Sequence, residues 1–424
     1  MIKIIKTDGF SEKELISSMR QRVTETEKKI SDVAVAALAD IKNRGYEAVE
    51  EYSVKFDGCA PYEIDNASIK EAYDRTNKKV IEALTNAAEN IRIYHEKMLQ
   101  SSWTLDKGDG RVLGQRVRGL TRVGLYVPGG IAAYPSSVLM NAVPAKAAGV
   151  KELIMVTPPR EFLNDTVLAA AYIAEIDRII AIGGIQAIGA LAYGAGFIPR
   201  VDKIVGPGNA YVAAAKRLVY GTVDIDIVAG PSEVLVIGDE TTNPVYAAAD
   251  LMSQAEHDVL ASAVMVTTSM DSALKTAKEI RRQSEYLSRK DIIEASLRDF
   301  GAIVVCDTMD EAVKIANEIA PEHLELMCRN AERISEGIIN AGAIFIGEYS
   351  PEPLGDYMAG PCHVLPTSGT ARFFSPLSVD SFLKKTSVIY YEKDALLREC
   401  DDILTLARQE HLTAHANSIE VRMK

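Results

Sequence analysis

One pattern constrains this chain more than any other: beyond Leu120, short runs of β-branched residues end in glycine or proline and feed helix-like segments. Residues 122–127 run into Pro128-Gly129-Gly130, 153–157 into Pro158-Pro159, 178–182 into Gly183-Gly184, and 203–205 into Gly206-Pro207-Gly208-Asn209. A strand followed by a helix reaches its parallel neighbour only by a crossover, so the alternation predicts a parallel, doubly wound sheet. A second series repeats it with strand 262–267, helix 273–282, strand 302–305, helix 310–319, and strands 324–327 and 343–346. Two α/β layers of related architecture are the simplest account.

The flanks read differently. From residue 31 to about 100, Val33, Leu38, Ile41 and Val49, then Val80, Leu84, Ala87, Ile91 and Tyr94, recur at helical spacing and predict a helical lead-in. His95, at the end of that stretch, reads as an ordinary surface or core residue. After about Ser375, a strand at 387–391 and a helix at 394–409 form a tail appendage.

With 59 acidic against 47 basic residues, the 424-residue chain carries a formal charge of -12 without long single-sign blocks. That balance disfavours nucleic acid and anionic membranes as partners. No apolar run approaches the roughly 20 residues needed to span a bilayer, and the N-terminus lacks the features of an export signal. Cys59, Cys306, Cys328, Cys362 and Cys400 are scattered without a Cys-x-x-Cys pair, which fits a reducing cytoplasm.

Five of the six histidines, His257, His323, His363, His411 and His415, lie beyond residue 250 beside carboxylates or amides. Gln254 and His257, three apart in a helix expected over 244–257, project from one face and have the spacing of paired metal ligands. Asp356 and His415 would complete a mixed nitrogen and oxygen set suited to zinc or manganese; the alternative is a hydrogen-bonding helix surface. Glu322-His323 falls between a helix and a strand, where general acids and bases often sit, or else forms a solvated turn. Gly206-Pro207-Gly208-Asn209 is a partial phosphate-binding turn or simply a tight connection. Cys328 is close enough in sequence to Glu322 to suggest a thiohemiacetal on an aldehyde, against a packing role at a strand end.

Taken together, Ala229-Gly-Pro-Ser232-Glu233, Asp250-Leu-Met-Ser-Gln254-Ala-Glu-His257-Asp258, Ala320-Pro-Glu322-His323-Leu-Glu325, His363-Val-Leu-Pro-Thr367 and Leu412-Thr-Ala-His415 resemble the histidinol dehydrogenase family from about residue 30 to the end. The resemblance implies an NAD-dependent enzyme with one Zn2+ per subunit. Such an enzyme carries L-histidinol through L-histidinaldehyde to L-histidine, the last step of histidine biosynthesis. It further implies Gln254, His257, Asp356 and the partner subunit's copy of His415 as metal ligands. Ser232, His323, His363 and Glu410, with the four ligands, would be substrate contacts; Tyr126, Gln186 and Asn209 would be cofactor contacts; Glu322 and His323 would be the acid–base pair. A site shared across a homodimer follows, because Glu410 and His415 lie on the tail.

The expected fold is therefore two Rossmann-like doubly wound α/β domains with a helical N-terminal segment and a C-terminal tail appendage. The division runs 1–24 for the N-terminal segment, 25–124 plus 237–375 for a discontinuous domain with the metal and catalytic motifs, 125–236 for the cofactor side, and 376–424 for the tail. Cys362 replaces an asparagine and His411 a glycine of the commonest family pattern, and Cys362 would be oxidation-sensitive if exposed. Near its ordinary pKa of roughly 6.5, His323 would act as a base only above that value, so alkaline conditions should favour activity. Two rival readings are a paralogous zinc- and NAD-dependent dehydrogenase of another amino or sulfonated alcohol, and a metal-dependent hydrolase in which Glu322 activates water.

Overall fold

A computed structural model describes residues 2–20, 25–129, 134–159, 164–228 and 230–424; Gly130 of the first turn and Ala229 of the Ala-Gly-Pro-Ser-Glu motif lie outside these. Two six-stranded sheets dominate. The first runs in the order Lys3–Lys6, Ala302–Val305, Ser262–Thr267, Glu233–Gly238, His323–Met327, Ala343–Ile346, and every pairing is parallel. The second runs Tyr62–Ile64, Arg178–Ala181, Glu152–Thr157, Arg122–Tyr126, Lys203–Val205, Asp224–Ile225, parallel except at its Tyr62–Ile64 edge. Apart from the edge strands Lys3–Lys6 and Tyr62–Ile64, each sheet starts mid-sheet, at Glu233–Gly238 or Arg122–Tyr126, with later strands added on one side and then the other, which is the doubly wound order.

The strands take these places because both faces are apolar. In Glu233–Gly238, Val234 and Val236 point into one core while Leu235 and Ile237 point into the opposite one. Leu153 and Met155 likewise oppose Ile154 and Val156 in the second sheet. Alternate side chains leave a strand on opposite faces, so a continuous apolar run must be covered by helices on both sides.

Several expectations need correction. Residues 25–124 were grouped with 237–375, but their helices pack on the second sheet: Glu25–Arg44 meets Gly184–Tyr193 and Ala210–Val219, and Lys78–Glu96 meets Pro135–Ala147. The boundary expected at 236/237 cuts strand Glu233–Gly238, a central strand of the first sheet. Residues 1–24 contribute the edge strand Lys3–Lys6. A three-stranded antiparallel sheet joins Trp103–Asp106 and Arg111–Gly119 to the tail strand Leu383–Tyr391. His95 is a core residue, its Nδ1 2.8 Å from the Ile91 carbonyl oxygen. Among the described residues no helix is long and apolar enough to cross a membrane.

One buried ion pair locks a turn at the carboxyl edge of the second sheet. Lys216 pairs with Asp226, both side chains at most 4% exposed; Lys216 also donates to the Gly206 carbonyl at 2.8 Å, and Asp226 accepts the Gly206 N–H at 2.8 Å. Removing one partner of such a pair leaves the other charge buried and uncompensated, so Asp226→Ala is expected to destabilise the protein by about 3–5 kcal/mol. The midpoint of urea unfolding measures it; an unshifted midpoint would refute the assignment.

Candidate active site

Glu322 and His323 stand at the amino end of strand His323–Met327, whose neighbour across the ladder is Glu233–Gly238. These two strands form the switch point of the first sheet, but Glu322 and His323 lie at its amino side rather than at the carboxyl ends where doubly wound sheets usually bind ligands. The backbone of Glu233 holds both residues. Its N–H donates to Glu322 Oε2 at 2.9 Å, and its carbonyl oxygen lies 3.0 Å from His323 Nδ1.

That second contact assigns a tautomer. A carbonyl only accepts, so Nδ1 carries the proton and Nε2 keeps its lone pair. Nε2 is buried and has no hydrogen-bond partner among the described residues. Such an orphaned acceptor is costly unless a ligand meets it. Burial pushes His323 down to about 4, aided by His257 and His363, so its imidazole is neutral and basic throughout the neutral range. Glu322, 3.7 Å from His323 Nδ1, moves the other way: burial and the nearby negative charges of Glu233, Asp356 and Glu352 hold its proton well above the usual carboxylate range.

His257 follows the C-terminal end of helix Pro244–Ala255 and is exposed, while Gln254 on the same helix is 1% exposed. Gln254 Oε1 is buried without a hydrogen-bond partner. Ligand atoms of His257, Glu352 and Asp356 lie within 4.8 Å of one another. Glu352 and Asp356 share the short helix Glu352–Tyr357, whose first N–H donates to Glu325 Oε1 at 2.8 Å. Burial, with Asp356 beside it, pushes Glu352 up to about 8, and burial pushes Asp356 up to about 6. An imidazole and two crowded carboxyls form a donor set that fits a divalent cation with nitrogen and oxygen preference.

The other expected residues fall into three places. His363 Nδ1 is 3.7 Å from Asp356 Oδ1 and so borders the cluster, and Ser232 directly precedes strand Glu233–Gly238, next to the residue whose backbone holds Glu322 and His323. Tyr126 and Asn209 flank the carboxyl-edge switch point of the second sheet, between strands Arg122–Tyr126 and Lys203–Val205, and Gln186 is in the first turn of helix Gly184–Tyr193. Asn209 caps its helix, accepting the N–H groups of Tyr211 and Val212 at 3.1 Å each, which leaves its NH2 free to donate outward. Glu410 and His415 are exposed on the tail, where helices Lys393–Gln409 and Thr413–Met423 pack on each other. His415 is not in the cluster around His257.

Glu352 escaped sequence reasoning. Its signal was the four-residue spacing to Asp356, which puts both carboxyls on one helix face. The thiohemiacetal reading of Cys328 does not survive. That thiol lies beyond the far end of the strand that begins at His323, packs against the core, and is pushed up to about 11 by burial, so it is no thiolate. Cys362 is 3% exposed, its Sγ 3.2 Å from the Met140 carbonyl oxygen and pushed up to about 12 by burial, so the condition for easy oxidation is not met. His411 has φ of 59°, the left-handed region in which glycine carries no steric penalty, which explains a glycine preference there.

Comparison with known proteins gives one consistent result. A family model described as histidinol dehydrogenase matches residues 20–423. The chain is 52% identical over 428 residues to the histidinol dehydrogenase of Clostridium acetobutylicum, covering 100% of this chain and 99% of that protein. It is 50% identical over 425 residues to that of Bacillus subtilis, covering 99% of each. A crystal structure of histidinol dehydrogenase from Elizabethkingia anophelis superimposes with a TM-score of 0.93 at 35% identity, over 100% of this chain and 98% of that one.

Proposed function

The chain belongs to the histidinol dehydrogenase family and is an oxidoreductase, and from that premise we propose that it oxidises L-histidinol to L-histidine in two NAD-dependent steps at a zinc site. The observation that carries the chemistry is the orphaned, buried Nε2 of His323 beside Glu322. Gln254, His257 and Asp356, with His415 of the partner subunit, would hold the Zn2+, and Glu352 stands against the same ligands. When bound, the cation supplies a Lewis-acidic anchor for the imidazole and amine of the substrate.

In the first oxidation His323 Nε2 would take the hydroxyl proton of histidinol, and the nicotinamide, when bound, would supply the hydride acceptor in each oxidation. His323 would release that proton to solvent before the second oxidation, in which Glu322 as carboxylate would remove a proton from water as the oxygen bonds to the aldehyde carbon. His323 would then take the remaining hydroxyl proton of the hydrate anion, so that loss of the second hydride leaves the carboxylate. Ser232, His363 and Glu410 of the tail would contact the substrate. Tyr126, Gln186 and Asn209 would contact the cofactor. The exposure of Glu410 and His415 on a tail that packs on itself supports a homodimer whose tails complete each other's sites. A cytoplasmic location accords with five cysteines that are all free thiols.

His323, lowered to about 4, is already unprotonated at neutral pH and does not set an alkaline preference. Glu322 has a raised pKa and becomes a base only as pH rises through it, so any alkaline limb belongs to water activation. Glu322→Gln keeps an oxygen for the Glu233 N–H but cannot take a proton. It is expected to drop the yield from two NADH per histidinol toward one, with an aldehyde trapped by semicarbazide; an unchanged yield would refute the role.

The decisive experiment follows NADH formation from L-histidinol with and without a chelator. Two NADH per substrate, abolished by chelation and restored by Zn2+, is the expected result. Hydrolysis of an amide without NADH formation would select the hydrolase reading, and activity on another alcohol alone would select a paralogous dehydrogenase.

A further inference from the structure

Asp57, the last residue of helix Tyr46–Asp57, reaches the turn before helix Gly184–Tyr193 from outside the sheet. Its Oδ2 accepts both the Gly183 N–H and the Gln186 Nε2, each at 3.0 Å. A carboxylate only accepts, so Gln186 is obliged to turn its NH2 toward Asp57 and its carbonyl oxygen away. Gly184, with φ of +62°, makes room for that orientation: a Cβ there would stand 2.7 Å from Gln186 Oε1.

Tyr126 completes the arrangement from strand Arg122–Tyr126, which lies two places from Arg178–Ala181 in the sheet. Its hydroxyl oxygen accepts the Gly184 N–H at 3.1 Å, which leaves its own proton to donate, and burial pushes it up to about 12 so that the proton stays. The turn thus offers one carbonyl acceptor and one hydroxyl donor. Its two leading amides are already taken, by Asp57 and by Tyr126, so this helix N-terminus is not arranged to receive a phosphate.

We propose that Asp57 is a positioning residue for the nicotinamide dinucleotide: it fixes the amide of Gln186 so that the Gln186 carbonyl and the Tyr126 hydroxyl together hold a neutral hydrogen-bonding part of the cofactor, not a phosphate. This rests on the reading of Tyr126 and Gln186 as cofactor contacts. The carboxyl of Asp57 need not touch the cofactor itself.

Steady-state kinetics of the zinc-loaded enzyme, with NAD varied at saturating L-histidinol, test it. Asp57→Ala releases the amide and is expected to raise the KM for NAD about 10-fold or more, the scale of a lost charged hydrogen bond. The KM for histidinol, the zinc content and the unfolding midpoint should hold. Asp57→Asn should stay within about 3-fold of wild type, because one oxygen now accepts both bonds and an amide oxygen can do the same. Gln186→Glu sets two carboxylates against each other and should raise the KM for NAD, and adding Asp57→Asn should recover it by supplying an NH2 donor. That pair decides the matter even if Asp57→Ala does not fold. An unchanged KM for NAD in Asp57→Ala, equal rises for NAD and histidinol, or no recovery in the double variant would overturn the proposal. Wild-type enzyme that fails to reduce NAD would instead sink the cofactor reading beneath it.

Discussion

Alanine at position 323 is expected to cut turnover by about 10²–10⁴-fold, the range contributed by a positioned acid–base group, while bound zinc stays at the wild-type level. Alanine at position 257 is expected to lose the metal. The two histidines differ in what they face. His323 is fixed through Nδ1 by the Glu233 carbonyl and presents a buried, partnerless Nε2, whereas His257 is within 4.8 Å of Glu352 and Asp356 ligand atoms. Loss of an outer-shell partner costs roughly 10–100-fold in metal affinity, and loss of a direct ligand should exceed that. Zinc content by atomic absorption, set beside kcat for each variant, separates the roles. Equal zinc loss in both would show that His323 is a ligand and not the base.

Mixing inactive His257→Ala with inactive His415→Ala should restore activity. If the tail of one protomer completes the site of the other, each heterodimer contains one site with both defects and one with neither. Up to about half of wild-type activity per heterodimer is then expected. If each tail served its own protomer, both sites would stay broken. Differently tagged protomers, co-expressed and purified through both tags, give verified heterodimers; absence of recovery in these would refute the shared site.

The legibility of the chain in its sequence was uneven, for physical reasons. Strands such as 262–267 and 302–305 are legible directly because short apolar, valine- and isoleucine-rich runs between helical segments have few alternatives. Strand Glu233–Gly238 does not stand out in the sequence although Val234, Leu235, Val236 and Ile237 form a continuous apolar run, because it follows the Gly-Pro-Ser stretch without a regular helix before it. The helices of 25–96 were recognised as helices, but their partners were not: an amphipathic stripe shows that a face is buried without showing against what. Lys78–Glu96 buries Leu84, Ala87 and Ile91 in the core of the second sheet, and nothing in its own spacing says so.

By itself the sequence determined the doubly wound α/β class, the turns, and the residue types assembled for proton transfer and metal binding. Those properties are local: they follow from side-chain sterics, from the spacing of apolar residues, and from donors and acceptors within a few positions of each other. Only the tertiary structure decided how those residues behave. Glu233 reaches Glu322 across 89 positions of chain, and that contact, with its carbonyl partner on His323, selects the tautomer that leaves Nε2 basic. Burial lowered the proton affinity of His323 and raised that of Glu322, and the fold brought the helix carrying Glu352 and Asp356 to His257. Desolvation and the charge of distant neighbours exist only once the chain has closed around them, which is why no local reading of Glu322-His323 could assign their proton affinities.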